Sequence, residues 1–248
     1  MTHSRQELLG MNPTFTAHLV QGQRLKYRPN DPWVSGQQVY LEQGDEPTVL
    51  TAALAEQLNA EDKRYFLDNC DKVPLHKSPD FAGRARLVAP GGDTKTYLEN
   101  VGEALRVLSK IQGPLMILGD WNTPWLSQSN DYPPVEQALN FLREQIDEQF
   151  NGGFVFEEKD ITNFIPHLFW LSRCNASLPE FLMSYVQSDF VVSICKHGIL
   201  HLEFYDMEER QAMMAFFRAK GFREWKECAD PIPFDELIDR QFPLEAQS

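Results

Sequence analysis

The chain has 248 residues, 42% hydrophobic and 24% charged, and its 23 Lys and Arg against 36 Asp and Glu give a formal net charge of −13. That composition excludes disordered, collagen-like and disulfide-scaffold classes. The acidic balance weighs against nucleic acid and anionic membranes, whose phosphates it repels, and favours basic partners.

Over residues 1–92 the reading is irregular, with Pro13, Pro29, Pro32, Pro47, Pro74, Pro79 and Pro90 interrupting short patterned stretches. From Thr48, Leu50, Ala53, Leu54 and Leu58 recur at three- and four-residue spacings and predict a helix. Asn59 is placed to cap a second helix, with Asp62 three residues on. Glu61, Asp62 and Asp68 on that second helix deny it the cationic face of a DNA-binding helix-turn-helix. Pro90-Gly91-Gly92-Asp93 marks a seam.

Residues 93–248 read as regular α+β. A helix from Lys95 to Ile111 presents Leu98, Val101, Leu105 and Leu108 on one face and stops at Gly113-Pro114. Leu115-Met116-Ile117-Leu118 is a fully apolar strand of the kind buried on both faces of a sheet. Val135, Leu139, Leu142 and Ile146 mark a helix, and Phe154-Val155-Phe156 a strand. Helical pieces are expected from Ile161 to Leu171 and from Pro179 to Val186, broken around Asn175. Phe190 to Cys195 and Ile199 to Tyr205 form a hairpin about Lys196-His197-Gly198, apolar on one face and polar on the other. Asp206 caps the next helix with Glu209 in the capping-box position, and Gly221 ends it. Phe222 to Trp225 is a final strand, followed by a short helix through Phe234, Leu237 and Ile238. The prediction is a single compact α+β unit over 1–248, with a mixed or antiparallel sheet and a split βαβ-like order in its C-terminal part.

Chemistry is sparse. Leu118-Gly119-Asp120-Trp121-Asn122 follows the buried strand, where α/β sheets place ligands, and a carboxylate and an amide two apart can face one ligand from extended backbone. This string resembles the Gly-Asp-Phe-Asn segment of the endonuclease, exonuclease and phosphatase family of metal-dependent phosphoesterases. The resemblance implies the family's Asp and Asn roles at Asp120 and Asn122. It covers about eight residues, and where the family has a late Ser-Asp-His the nearest string here is Ser188-Asp189-Phe190, whose phenylalanine can take no proton.

Cys70, Cys174, Cys195 and Cys228 form no Cys-x-x-Cys pair, so thiols in a reducing cytoplasm are expected, with no metal and no cofactor. Cys195 with His197 is the minimum for a thiol nucleophile and its base, and His197 with His201 has a ligand-like spacing spoiled by the hairpin. His167 reads as a boundary residue of an apolar helix, and Arg24-Leu25-Lys26-Tyr27-Arg28 as an alternating edge strand. Glu157 and Glu158 follow one strand, while Glu203, Asp206, Glu208 and Glu209 flank the hairpin. In the sandwich order they share a rim able to steer a cationic protein. The leading expectation is therefore a cytoplasmic, non-enzymatic protein that binds a basic protein partner, in the manner of inhibitors and immunity proteins. A metal-dependent hydrolase or phosphoesterase centred on Asp120 and Asn122 is the alternative, and a structural or scaffolding component the third. Nucleic-acid and membrane partners are not expected.

Overall fold

The computed structural model describes residues 1–26, 32–39, 47–74, 80–126, 130–174 and 180–234. Strand β1 (Thr2–His3) leads into helix α1 (Arg5–Met11), opened by a reciprocal capping box between Ser4 and Glu7. Helix α2 (Pro13–Lys26) begins on a proline, whose missing N–H is not needed in a first turn. β2 (Gln38–Val39) pairs with β3 (Thr48–Val49), and α3 (Ala52–Asn69) follows. Then come β4 (Gly83–Val88), α4 (Thr94–Gln112), β5 (Leu115–Gly119), α5 (Pro133–Arg143), β6 (Gly153–Phe156) and α6 (Glu158–Cys174). The chain continues through β7 (Phe181–Tyr185), β8 (Phe190–Ile194), β9 (Leu200–Phe204), α7 (Met207–Ala219) and β10 (Arg223–Glu224).

The fold is α+β. Eight of these strands form one sheet in the order β1-β6-β5-β7-β8-β9-β4-β10, and each of its neighbouring pairs is antiparallel. Alternation sorts its side chains into two layers. Leu115, Ile117, Phe154, Phe156, Met183, Tyr185, Val192 and Leu202 enter the main core with α4, α5, α6 and α7. Met116, Leu118, Val155 and Val191 meet Leu8, Phe15, Leu19 and Val20 of α1 and α2 on the other face. Between these two helices Asn12 donates its amide to the carbonyls of Tyr185 (2.7 Å) and Ser188 (2.8 Å), tying the helical layer to the β7–β8 turn. Trp33, Leu54 and Leu58 pack on a separate small cluster of Val39, Leu50 and Ala55.

Capping chemistry accounts for the best-defined ends. Asp93 caps α4 through the Thr96 N–H at 2.9 Å, and Asp206 caps α7 through the Glu209 N–H at 2.7 Å. Gly221, at φ +84°, closes α7 in the left-handed region.

Three expectations fail. The helices expected from Thr48 and from Asn59 are one helix, α3, capped by Thr51, so no helix-turn-helix exists there. Asn59 instead bonds both backbone groups of Trp33, at 2.8 and 2.9 Å, and Asp62 accepts the Trp33 indole N–H at 2.8 Å. The helix expected over Pro179 to Val186 contains strand β7, paired with β5 and β8. Its run Phe-Leu-Met-Ser-Tyr is buried along most of both faces, which hides the period of two. β7 is thus inserted into the β6, α6, β8, β9, α7, β10 succession. Where an edge strand was expected, Arg24 and Leu25 are exposed on the last turn of α2, and Tyr27 and Arg28 lie outside the described residues. The short helix expected through Leu237 and Ile238 also lies outside them. No helix among the described residues is long and apolar enough to cross a membrane.

Candidate functional site

The turn after β5 is held from three sides. The capping box that starts α1 brings Arg5 beneath the sheet, where its guanidinium grips the Asp71 carboxylate with two 2.7 Å bonds. The remaining Arg5 nitrogen donates to the carbonyls of Gly119 and Trp121, both at 2.9 Å. Gln23 of α2 adds its amide to Asp71 Oδ2 at 2.8 Å and to the Asp120 carbonyl at 2.7 Å, and accepts the Asp71 N–H at 2.8 Å. A buried ion pair whose lone pairs are filled in this way is a positional lock.

Asp120 is buried, and lines a cavity of about 90 Å³ with His18, Leu19, Gly22, Gln23, Glu180 and Leu182. Its N–H donates to the Glu180 carbonyl at 2.8 Å. His18 Nδ1 shares a 2.6 Å hydrogen bond with the Tyr205 hydroxyl and lies 3.9 Å from the Glu203 carboxylate. Burial pushes Tyr205 up to about 12, so it remains a phenol at neutral pH. Asn122 is taken elsewhere: its side-chain oxygen accepts from the Asn151 amide at 2.8 Å and its N–H donates to the Asn69 carbonyl at 2.9 Å. The chain bends at residues 120–122, so two-residue spacing no longer implies a shared direction. Trp125 stacks on Phe181 in the core, whereas Trp121 meets Tyr65 and Phe66 of α3.

The acidic candidates divide by circumstance. The antiparallel pairings from β6 through β5, β7 and β8 to β9 make β6 and β9 run the same way, so the segments that follow them emerge at one end of the sheet. Glu157, Asp206 and Glu208 are exposed there. Glu158 at the same end is paired with Arg106 and, at 3.0 Å, with Lys110. Glu203 projects from the face of β9, opposite Arg84 and Val191.

Glu209 does not close a capping box; its carboxylate accepts the Asp189 N–H at 2.6 Å. Burial, aided by Asp189 and Asp206, raises it from 4.5 to about 7. A carboxyl raised on folding contributes stability that is complete below the unfolded value of 4.5 and is lost as pH rises through about 7. The thermal midpoint of the wild type should therefore fall between about pH 5 and pH 8, and Glu209→Gln should remove that fall. Parallel melting curves for the two proteins across that range would refute it.

The expected pairing of Cys195 with the His197 imidazole is replaced by two others. His197 Nδ1 bonds Asp230 at 2.6 Å, and Asp230 takes two further bonds, at 3.2 and 2.8 Å, from the buried Arg173. Cys195 lies instead with His201 and Cys228, and burial pushes its thiol up, which makes it a poor nucleophile. Among the described residues, Cys195, His201 and Cys228 are the group whose ligand atoms lie close enough together to hold a metal ion. Spacing concealed it because Cys228 arrives only after α7 and β10; the usable signal was the hairpin register, which sets His201 opposite Ser193 and so on the same side as Cys195. His167 stacks on Phe141 at 4.2 Å in an open groove of about 830 Å³ between α4 and α6, and burial lowers its pKa.

No protein-family model, curated protein or solved structure matches the chain.

Proposed function

We propose that the protein is a non-enzymatic binding protein that engages a basic protein partner through the sheet end bearing Glu157, Asp206 and Glu208, in the style of an inhibitor or immunity protein. The supporting observation is that these three exposed carboxylates emerge from the same end of the sheet, on a chain of net charge −13. Such a surface accelerates encounter with a cationic partner and repels phosphate backbones. A hydrolase centred on Asp120 and Asn122 is the weaker reading. The cavity at Asp120, about 90 Å³, is small beside the roughly 300–1,000 Å³ of ordinary ligand pockets, and Asn122 is bonded to Asn151. A cytoplasmic location belongs with the binding reading, in keeping with the thiols of Cys70, Cys195 and Cys228.

The test is capture of partners from the native host at low and high salt, with and without Glu157→Lys and Glu208→Lys together. Asp206 is left intact because its carboxylate caps α7. A basic partner should be recovered at low salt, with association slowed about tenfold by the double reversal. Capture that is insensitive to both salt and reversal would sink the reading.

A further inference from the structure

Apart from the acidic end, the sheet carries a cluster with different chemistry. Cys195 lies just beyond β8, where its N–H donates to the Ile199 carbonyl at 3.1 Å, and His201 stands on β9 opposite Ser193. Side chains two apart on a strand share a side, so Cys195 and His201 meet across the hairpin. The third member comes from a distant stretch. After β10 pairs with β4, the Trp225 N–H donates to the Arg86 carbonyl at 2.9 Å, and Arg86 Nη1 reaches the Lys226 carbonyl at 2.8 Å. Arg86 is the cross-strand neighbour of His201, so this anchoring delivers the bend at 226–229, and with it Cys228, to the imidazole.

We propose that Cys195, His201 and Cys228 form a zinc site. Their ligand atoms all lie within 4.8 Å of one another, and Cys228 Sγ is 3.6 Å from His201 Nε2. Zinc–sulfur and zinc–nitrogen bonds of about 2.3 and 2.0–2.1 Å at a tetrahedral angle set an S···N edge of about 3.6 Å. Two thiolates and an imidazole select a borderline-soft ion such as Zn²⁺ over the hard Mg²⁺ and Ca²⁺, which take oxygen ligands. The two thiolate charges balance the dication. Cys228 is exposed while Cys195 and His201 are half-buried, so the fourth tetrahedral position opens to solvent and suits a water. The ion would clip the segment after β10 to the β8–β9 hairpin, beside the Asp230 contacts to Arg173 and His197. This role is independent of the acidic surface.

The experiment uses the full chain, reduced, stripped with a chelator and titrated with Co²⁺ and then Zn²⁺. One equivalent of Co²⁺ should produce thiolate-to-cobalt charge transfer in the near ultraviolet and the intense visible bands of tetrahedral cobalt, both bleached by Zn²⁺. Cys228→Ser, at an exposed position, and His201→Ala should each weaken Zn²⁺ binding by about 100-fold or more, whereas Cys70→Ser should leave it unchanged. Circular dichroism verifies that each variant is folded. Zn²⁺ should also raise the thermal midpoint of the wild type and not that of Cys228→Ser. The weak spectrum of octahedral cobalt without charge transfer, or Zn²⁺ affinity unchanged in folded Cys228→Ser, would overturn the site.

Discussion

Gly153→Ala is expected to destabilise the fold by about 3 kcal/mol or more, and to do so by more than Gly152→Ala next to it. A Cβ on Gly153 would sit 2.3 Å from the Ile117 carbonyl oxygen, 2.6 Å from Leu8 Cδ1 and 2.9 Å from Leu118 Cδ1. The first of these is backbone of β5, which is hydrogen-bonded on both sides, to β6 and β7, and cannot withdraw without opening both ladders. A Cβ on Gly152 would come still closer to a backbone oxygen, 2.1 Å from that of His3. That oxygen, however, belongs to the two-residue edge strand β1, which can shift at the expense of one short pairing. Urea denaturation of both variants gives the comparison; equal losses would show that β5 yields as readily as the edge.

Arg5→Met is expected to cost about 3–5 kcal/mol, because it leaves a buried carboxylate without its cation. Arg5 and Asp71 are each 6% exposed, and the substitution also strips donors from the carbonyls of Gly119 and Trp121. Gln23 still bonds Asp71, but a neutral amide cannot balance its charge. Replacing Asp71 by leucine in the same chain should recover much of the loss, since an apolar pair of similar size is often no worse than the ion pair. Chemical denaturation of the two single variants and the double variant completes the cycle. A double variant as unstable as the sum of the singles would mean that the two side chains act separately.

The chain beyond residue 92 was legible where local chemistry and burial agree. Asp93 and Asp206 announce their helices, Leu115 to Leu118 their strand, and Leu200, Leu202 and Phe204 alternate with His201 and Glu203 because only one face of β9 is apolar. β7 was lost for the opposite reason, since its neighbours cover most of both faces. Helices α1 and α2 were missed although Ser4 with Glu7 is a full capping box. In α2 the stripe of Phe15, Leu19 and Val20 is diluted by Thr16 and Gln23, which are buried as polar anchors and spoil the apolar pattern. The Asp120 and Asn122 pairing was argued from extended geometry that ends with β5. Glu157, Asp206 and Glu208 share an end only because the unforeseen β7 adds an antiparallel step that makes β6 and β9 run the same way, and their company was no more legible. Arg106 and Lys110, which occupy Glu158, come from a different helix, and no spacing along the chain reports such a neighbour.

The amide of Asn12 that fastens the helical layer reaches a carbonyl 173 residues further along the chain. A ribosome adding about 5–20 residues per second therefore finishes α1 and α2 roughly ten to thirty seconds before β8, the last of the strands they cover. Until then Leu8, Phe15, Leu19 and Val20 have no complete sheet to lie on. Two helices that end as a cover for the finished sheet thus begin life as exposed apolar surface on the nascent chain, on which a chaperone would have to act.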